Sequence, residues 1–303
     1  MMFLMYFVIC LFVSIIAVIL GAKKRQSVIT GIRIIQFLLY YPFIVYRAKK
    51  RVHKNMDGES WCNHPPLIWA HAGGGYPILY GNVKECFDQA IANGYRCLEV
   101  DVGVTTDGVP VLTHFFRPNN ENLYAKLPSY DEFIKTPIAD KYTPLTLADF
   151  FNLYGTFDGW FFLDGVTFGT GFNFREYFSN ISESVKKKII IQVFKFGDLF
   201  SLLEDNPFGG IHFSGVNGIG TVDFLRPLLI KVLKLSGVQS VSISDWEVSG
   251  KNIRNVVADF KKNAIVVSIA GVNTLTYYFR LRKIGVDCID SDYLTPSDIR
   301  LCK

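Results

Sequence analysis

From Pro66 to the end of the chain, short runs rich in β-branched and aromatic residues alternate with amphipathic stretches, and this alternation constrains the fold more than any other feature. Strands linked by helices lie parallel, because each helix must pack back onto the sheet. Strands are expected near Leu67–His71, Arg96–Val104, Val109–His114, Trp160–Val166, Lys188–Phe194, Val238–Ser244, Ala264–Ala270 and Val286–Asp290, with the weakest near Ile211–Val216. Helices are expected over Asn82–Asn93, Leu147–Tyr154, Phe174–Lys187, Asp198–Glu204, Val222–Leu235, Lys251–Phe260 and Thr274–Ile284. The number of strand and helix pairs approaches eight, in a body close to the roughly 250 residues typical of a closed α/β barrel. The expected fold is therefore a (β/α)8 TIM-type barrel, with an open doubly wound sheet as the alternative. Polar placement favours the barrel: His71, Glu99, Asp101, His114 and Asp164 lie in or at the ends of different strands, and barrels gather such residues at their C-terminal face. Arg117–Tyr142 looks like a long insertion after the third strand.

Within LEVDV, side chains two apart share one face, so Glu99 and Asp101 project together while Leu98, Val100 and Val102 point the other way. The apolar flanks suggest a buried strand, where two carboxylates repel unless a cation lies between them. An oxygen-seeking ion, Mg2+ or Ca2+, resolves that repulsion. Asp164, closing WFFLD, is the candidate third ligand, against the plainer reading of a turn acid before Gly165. His71 and His114 each end a strand-like run, and an imidazole pair near neutral pKa suits transfer of one proton to and another from a reacting phosphodiester. His53, His64 and His212 have no comparable context. Gly73, Gly74 and Gly75 leave backbone amides open to a phosphate, although glycines also simply make turns.

The chain's net charge of +5 belongs to its front end: nine of its 32 Lys and Arg fall in residues 1–56, which hold no Asp or Glu. From Asp57 onward 23 bases face 27 acids, which argues against nucleic acid as a partner. Met1–Ala22 is an uninterrupted apolar run followed by Lys23-Lys24-Arg25. Its length and the lack of a basic residue before it read as an uncleaved transmembrane anchor rather than a signal peptide. Residues 23–56 form a basic juxtamembrane segment in which the apolar stretch Val28–Tyr46 is a second span or an interfacial helix. Basic residues on both flanks place the body, 57–303, in the cytoplasm. The six cysteines show no CxxC spacing and demand no oxidising compartment.

These blocks, in this order, resemble the glycerophosphodiester phosphodiesterase family, within the phospholipase C-like barrel phosphodiesterases. WAHAGG resembles the family's opening His-Arg-Gly block and LEVDVGVTTDGVPVLTH its central Glu-x-Asp, Asp-Gly and His block. Weaker similarity continues through PLTLADF, FFLD, IIIQVF and GVDCIDSDYL. The resemblance implies a TIM-type barrel, a divalent metal held by Glu99, Asp101 and Asp164, and acid and base roles for His71 and His114. It also implies attack by a hydroxyl neighbouring the phosphate, and places Gly73, Gly74 and Asn82 at the substrate. Three positions depart from the family pattern: Ala72 stands for arginine, Gly81 for glutamate, and Asp164-Gly165-Val166 for Glu-x-Lys. The phosphate then needs another cation, with Lys195 and Arg117 as candidates. The expected function is a membrane-anchored, metal-dependent phosphodiesterase acting on a glycerophosphodiester or lipid-derived phosphodiester. The alternatives are a phospholipase or sphingomyelinase D-like lipase, which an apolar lip around the site would favour, and a catalytically silent barrel that binds a phosphorylated head group.

Overall fold

The computed structural model describes residues 37–38, 40–43, 45–46, 61–74, 81–113, 128–165, 174–202, 206–214, 216, 220, 222–243 and 253–300. Its strands are β1 (Ile68–Ala70), β2 (Cys97–Val104), β3 (Pro110–Leu112), β4 (Trp160–Asp164), β5 (Ile189–Val193), β6 (Gly210–Phe213), β7 (Ser240–Ser242), β8 (Val266–Ile269) and β9 (Cys288–Ser291). The helices are α1 (Lys84–Ala92), α2 (Tyr130–Lys135), α3 (Leu147–Tyr154), α4 (Phe174–Ser179), α5 (Glu183–Lys186), α6 (Phe196–Leu202), α7 (Arg226–Leu235), α8 (Ile253–Lys262), α9 (Leu275–Ile284) and α10 (Pro296–Arg300).

All strands but β3 pair in parallel, in the order β1-β9-β8-β7-β6-β5-β4-β2, and a further β1–β2 pairing at Ala70 and Leu98 closes the ring. That closure excludes the open sheet. The weak run near Ile211 supplies β6, whereas Val109–His114 contributes β3, which folds back antiparallel on β2 with Val102 opposite Leu112. The link between β2 and β3 explains this. A parallel return needs at least about ten residues, and Thr105–Val109 is instead a tight turn, with Gly108 at φ +84° donating its N–H to the Thr105 carbonyl at 3.0 Å.

Alternation along the strands splits the apolar residues into two cores. Leu98, Val100, Phe161, Leu163, Ile189 and Ile191 belong to the large cluster shared with the helices, to which α3 brings Leu147, Phe150, Phe151 and Tyr154. Helix α3 begins where it does because Thr146 and Asp149 form a reciprocal capping box. The opposite strand faces gather Trp69, Cys97, Phe162, Ile190, Val266 and Cys288 with Trp61 into a second cluster, the barrel interior. Trp61 comes from the turn Trp61–Asn63 and donates its Nε1 hydrogen to Gln239 Oε1 at 2.9 Å. Each such aromatic stabilises by about 1.5–3 kcal/mol on burial.

His212, also buried, packs edge-on against Trp69 and Phe162 and bonds both ring nitrogens to the hydroxyls of Ser240 and Ser242. Burial holds its pKa down at about 3, so it is a neutral core imidazole. The apolar filling thus occupies the lower and middle interior and leaves the C-terminal ends of the strands to polar groups.

No helix among the described residues is long and apolar enough to cross a membrane. The run Met1–Ala22, the basic clusters and most of Val28–Tyr46 lie outside the described residues. The described part of that stretch, within 37–46, is helical, and its Phe37 is buried against Phe196 with ring centroids 5.3 Å apart.

Candidate active site

On β2 the period of two carries the inward face from Cys97 through Glu99 to Asp101, with Asp101 level with Asp164 at the end of β4. Glu99, Asp101 and Asp164 bring one carboxylate oxygen each to within 4.8 Å of one another. Glu99 and Asp101 are buried. Burial first, then the field of Asp101, drives the Glu99 pKa well above the usual carboxylate range, with His71 acting in the opposite sense. A carboxylate held like this needs a cation, and an all-oxygen donor set suits a hard divalent one. The residues therefore fit the metal read from the sequence.

His71 ends β1 and opens the turn His71–Gly73. Its Nδ1 lies 2.6 Å from Asp292 Oδ1, just beyond β9. Asn273 donates its amide to the other Asp292 oxygen at 2.8 Å, and its carbonyl oxygen accepts the Asp292 N–H at 3.0 Å. Burial opposes a charge on His71, but the Asp292 bond and the fields of Glu99, Asp290 and Asp292 outweigh it and raise the pKa to about 10. Asp292 is correspondingly lowered by His71. Asp290, whose Oδ1 accepts the Gly271 N–H at 2.5 Å, is raised to about 6 by burial, with His71 pulling down. Asp290, Asp292 and Asn273 were missed from the sequence. The signal was available, since Cys288, Asp290 and Asp292 repeat the every-second-residue pattern of Cys97, Glu99 and Asp101.

Ala72 has a left-handed backbone, φ +47°, and its N–H donates to Glu99 Oε2 at 2.5 Å. Its carbonyl accepts the Asn82 N–H at 2.7 Å. The two segments run so close that a Cβ on Gly81 would sit 2.3 Å from the Ala72 Cβ and 2.8 Å from its oxygen. The lack of an acid at this position has a steric cause. Asn82, buried at φ +62°, donates to Asp101 Oδ2 at 2.8 Å and accepts the Asp101 N–H at 3.0 Å. Expected at the substrate, it grips a carboxylate of the triad. Gly73 and Gly74 both have positive φ, and the Gly74 N–H closes the turn on the His71 carbonyl at 2.7 Å. Lys195, exposed between β5 and α6, exerts its charge on Asp198. His114 and Arg117 lie outside the described residues.

Residues 72–153 match the model of the glycerophosphoryl diester phosphodiesterase family. Glycerophosphodiester phosphodiesterase GDPD4 of Arabidopsis thaliana is 36% identical over 76 residues, which are 25% of this chain and 22% of that protein. The match thus spans about a fifth of the relative's length. A solved structure of a glycerophosphodiester phosphodiesterase from Galdieria sulphuraria superposes with a TM-score of 0.64 at 15% identity, covering 78% of this chain and 97% of the other. An Oleispira antarctica phosphodiesterase, solved in complex with the product sn-glycerol-3-phosphate, gives 0.59 at 18% identity, covering 80% and 98%. At such identities the structural likeness is one of fold. Together with the sequence match it bears out the resemblance over residues 72–153, within a barrel of the same fold as these solved structures.

Proposed function

We propose, from the premise that block 72–153 carries the glycerophosphoryl diester phosphodiesterase signature, that this chain is a metal-dependent phosphoric diester hydrolase. Its substrate would be a glycerophosphodiester or a related lipid-derived phosphodiester, in keeping with the sn-glycerol-3-phosphate product bound by the Oleispira antarctica phosphodiesterase. One observation carries the reading: three carboxylates converge to within 4.8 Å, and the imidazole clamped by Asp292 exerts its field on one of them.

In this reading Glu99, Asp101 and Asp164 hold Mg2+ or Ca2+, which when bound neutralises charge on the phosphoryl oxygens. Asp292 takes Nδ1 of His71, leaving Nε2 as the nitrogen for proton transfer, and keeps the ring protonated so that it donates to the leaving oxygen. His114 is the proposed base. Gly73, with Lys195 or Arg117, is assigned to the phosphate in place of the arginine absent at Ala72. The apolar run Met1–Ala22 is proposed to anchor the chain to a membrane, with the barrel on the cytoplasmic side.

Phe194, just beyond the C-terminal end of β5, and Tyr293, just beyond that of β9 on the opposite side of the ring, are exposed aromatic rings of the kind that favours a substrate keeping an acyl chain. The test is to incubate the full chain with glycerophosphodiesters and with lysophospholipids, with Mg2+ or Ca2+, beside His71→Ala. Turnover lost in the variant supports the enzyme, and the preferred member of the panel decides between the two substrate types. Binding of phosphorylated head groups without turnover would instead assign a silent barrel.

A further inference from the structure

Residues 37–46 read FLLYYPFIVY and contain no charged side chain. The buried side of their helical part is Phe37, Tyr41 and Val45, spaced at i, i+4 and i+8, and these belong to the main apolar core. Phe37 stacks against Phe196, which in turn stacks against Phe213 with centroids 4.9 Å apart. Tyr40 lies over Gly197, its hydroxyl 3.7 Å from where a Cβ would stand. Phe196 and Gly197 open α6, whose start is separated from the end of β5 by two residues. The helical segment therefore docks at the end of the barrel where the strands deliver the triad.

Its other side is also apolar. Leu38 is 48% exposed and Phe43 42% exposed, with Tyr46 exposed as well, and Phe194 stands exposed on the adjoining rim. A helix that is apolar all round belongs in a protein core or against lipid. The barrel covers one side only.

We infer that the exposed side of 37–46, with Phe194, lies in the interfacial layer of an anionic bilayer and turns the mouth of the barrel toward that surface. Two sequence facts select lipid as the occupant. Arg47, Lys49, Lys50, Arg51 and Lys54 follow the segment directly, and Arg33 with Lys23-Lys24-Arg25 precedes it, matching anionic head groups on both flanks. The apolar run Met1–Ala22 lies within the same short stretch of chain. Tyrosine, phenylalanine and leucine are side chains that suit a membrane interface. A substrate drawn from the bilayer then reaches the mouth without crossing bulk water. The inference deepens the membrane part of the proposed function, and its test needs no turnover.

The full-length chain, carrying His71→Ala so that activity plays no part, is reconstituted in phosphatidylcholine and phosphatidylserine vesicles with brominated acyl chains. Added tryptophan fluorescence is compared for Phe43→Trp, Phe194→Trp and Leu153→Trp, the last replacing an exposed apolar residue on α3. The expected result is several-fold stronger quenching at positions 43 and 194 than at 153. Equal quenching at all three overturns the orientation. A probe at 43 that is shielded from aqueous iodide yet unquenched by brominated chains assigns the face to a second copy and overturns lipid as its occupant.

Discussion

His71 and Asp292 meet where β1, the first strand of the barrel, pairs with β9, the last, and their side chains stand 2.6 Å apart, 221 positions apart in sequence. The pairing of first and last strands, not local sequence, creates the pair. Replacing Asp292 with Asn removes the charge that orients and protonates the imidazole. A positioned acid–base group contributes about 10²–10⁴ in rate, so Asp292→Asn is expected to lower kcat at least tenfold while KM changes little. NMR titration should find the His71 pKa falling from about 10 toward its ordinary 6.5.

Stability should follow the same group. The folded pKa of His71 is raised, to about 10 from 6.5, so its contribution is full below pH 6.5 and is lost as pH rises through about 10. In the metal-free chain, urea midpoints should decline over that window and the decline should flatten in Asp292→Asn. Mg2+ should lower the His71 pKa, since a cation beside Glu99 cancels one of the fields that raise it. A midpoint that stays flat in the parent chain removes the imidazolium–carboxylate pair from the account.

Asn82 holds Asp101 by two hydrogen bonds, one to Oδ2 and one from the backbone N–H. Loss of such a supporting partner typically costs about 10–100-fold in metal affinity. Asn82→Ala should therefore weaken Mg2+ binding by that factor in calorimetry and leave the far-ultraviolet circular dichroism unchanged. Unchanged affinity would mean that Asp101 needs no support.

Gly81 is required by the approach of the Ala72 turn. Gly81→Ala places a methyl 2.3 Å from the Ala72 Cβ, and relief requires moving the backbone that donates to Glu99. Overpacking of this kind costs about 1–3 kcal/mol, to be read as a lower urea midpoint with weakened metal binding. A variant as stable as the parent would show that the two segments separate freely.

These expectations rest on parts of the chain that differed in legibility. The barrel was readable because strands of parallel sheet alternate with helices, and Glu99 and Asp101 because alternation within an apolar strand fixes their common face. Strand β3 was misplaced among the barrel strands, although the five residues from Thr105 to Val109 are too few for a parallel return. Asp292 repeats the alternation of β2, but its partners Asn273 and His71 are brought to it only by the fold, so the pattern alone does not give its role. The close approach of Gly81 to Ala72 is a three-dimensional fact, invisible as spacing. His212, set aside in the sequence for want of a comparable context, bonds two serine hydroxyls and packs against two aromatic rings as part of the core.

The most direct test of the central claim is Mg2+-dependent hydrolysis of a phosphodiester by the full chain, measured beside Glu99→Gln. Burial makes an ionised Glu99 costly without a cation, so Glu99→Gln is expected to lose Mg2+-dependent turnover and to show a higher urea midpoint in the metal-free variant. Turnover that survives both chelator and Glu99→Gln would contradict that claim.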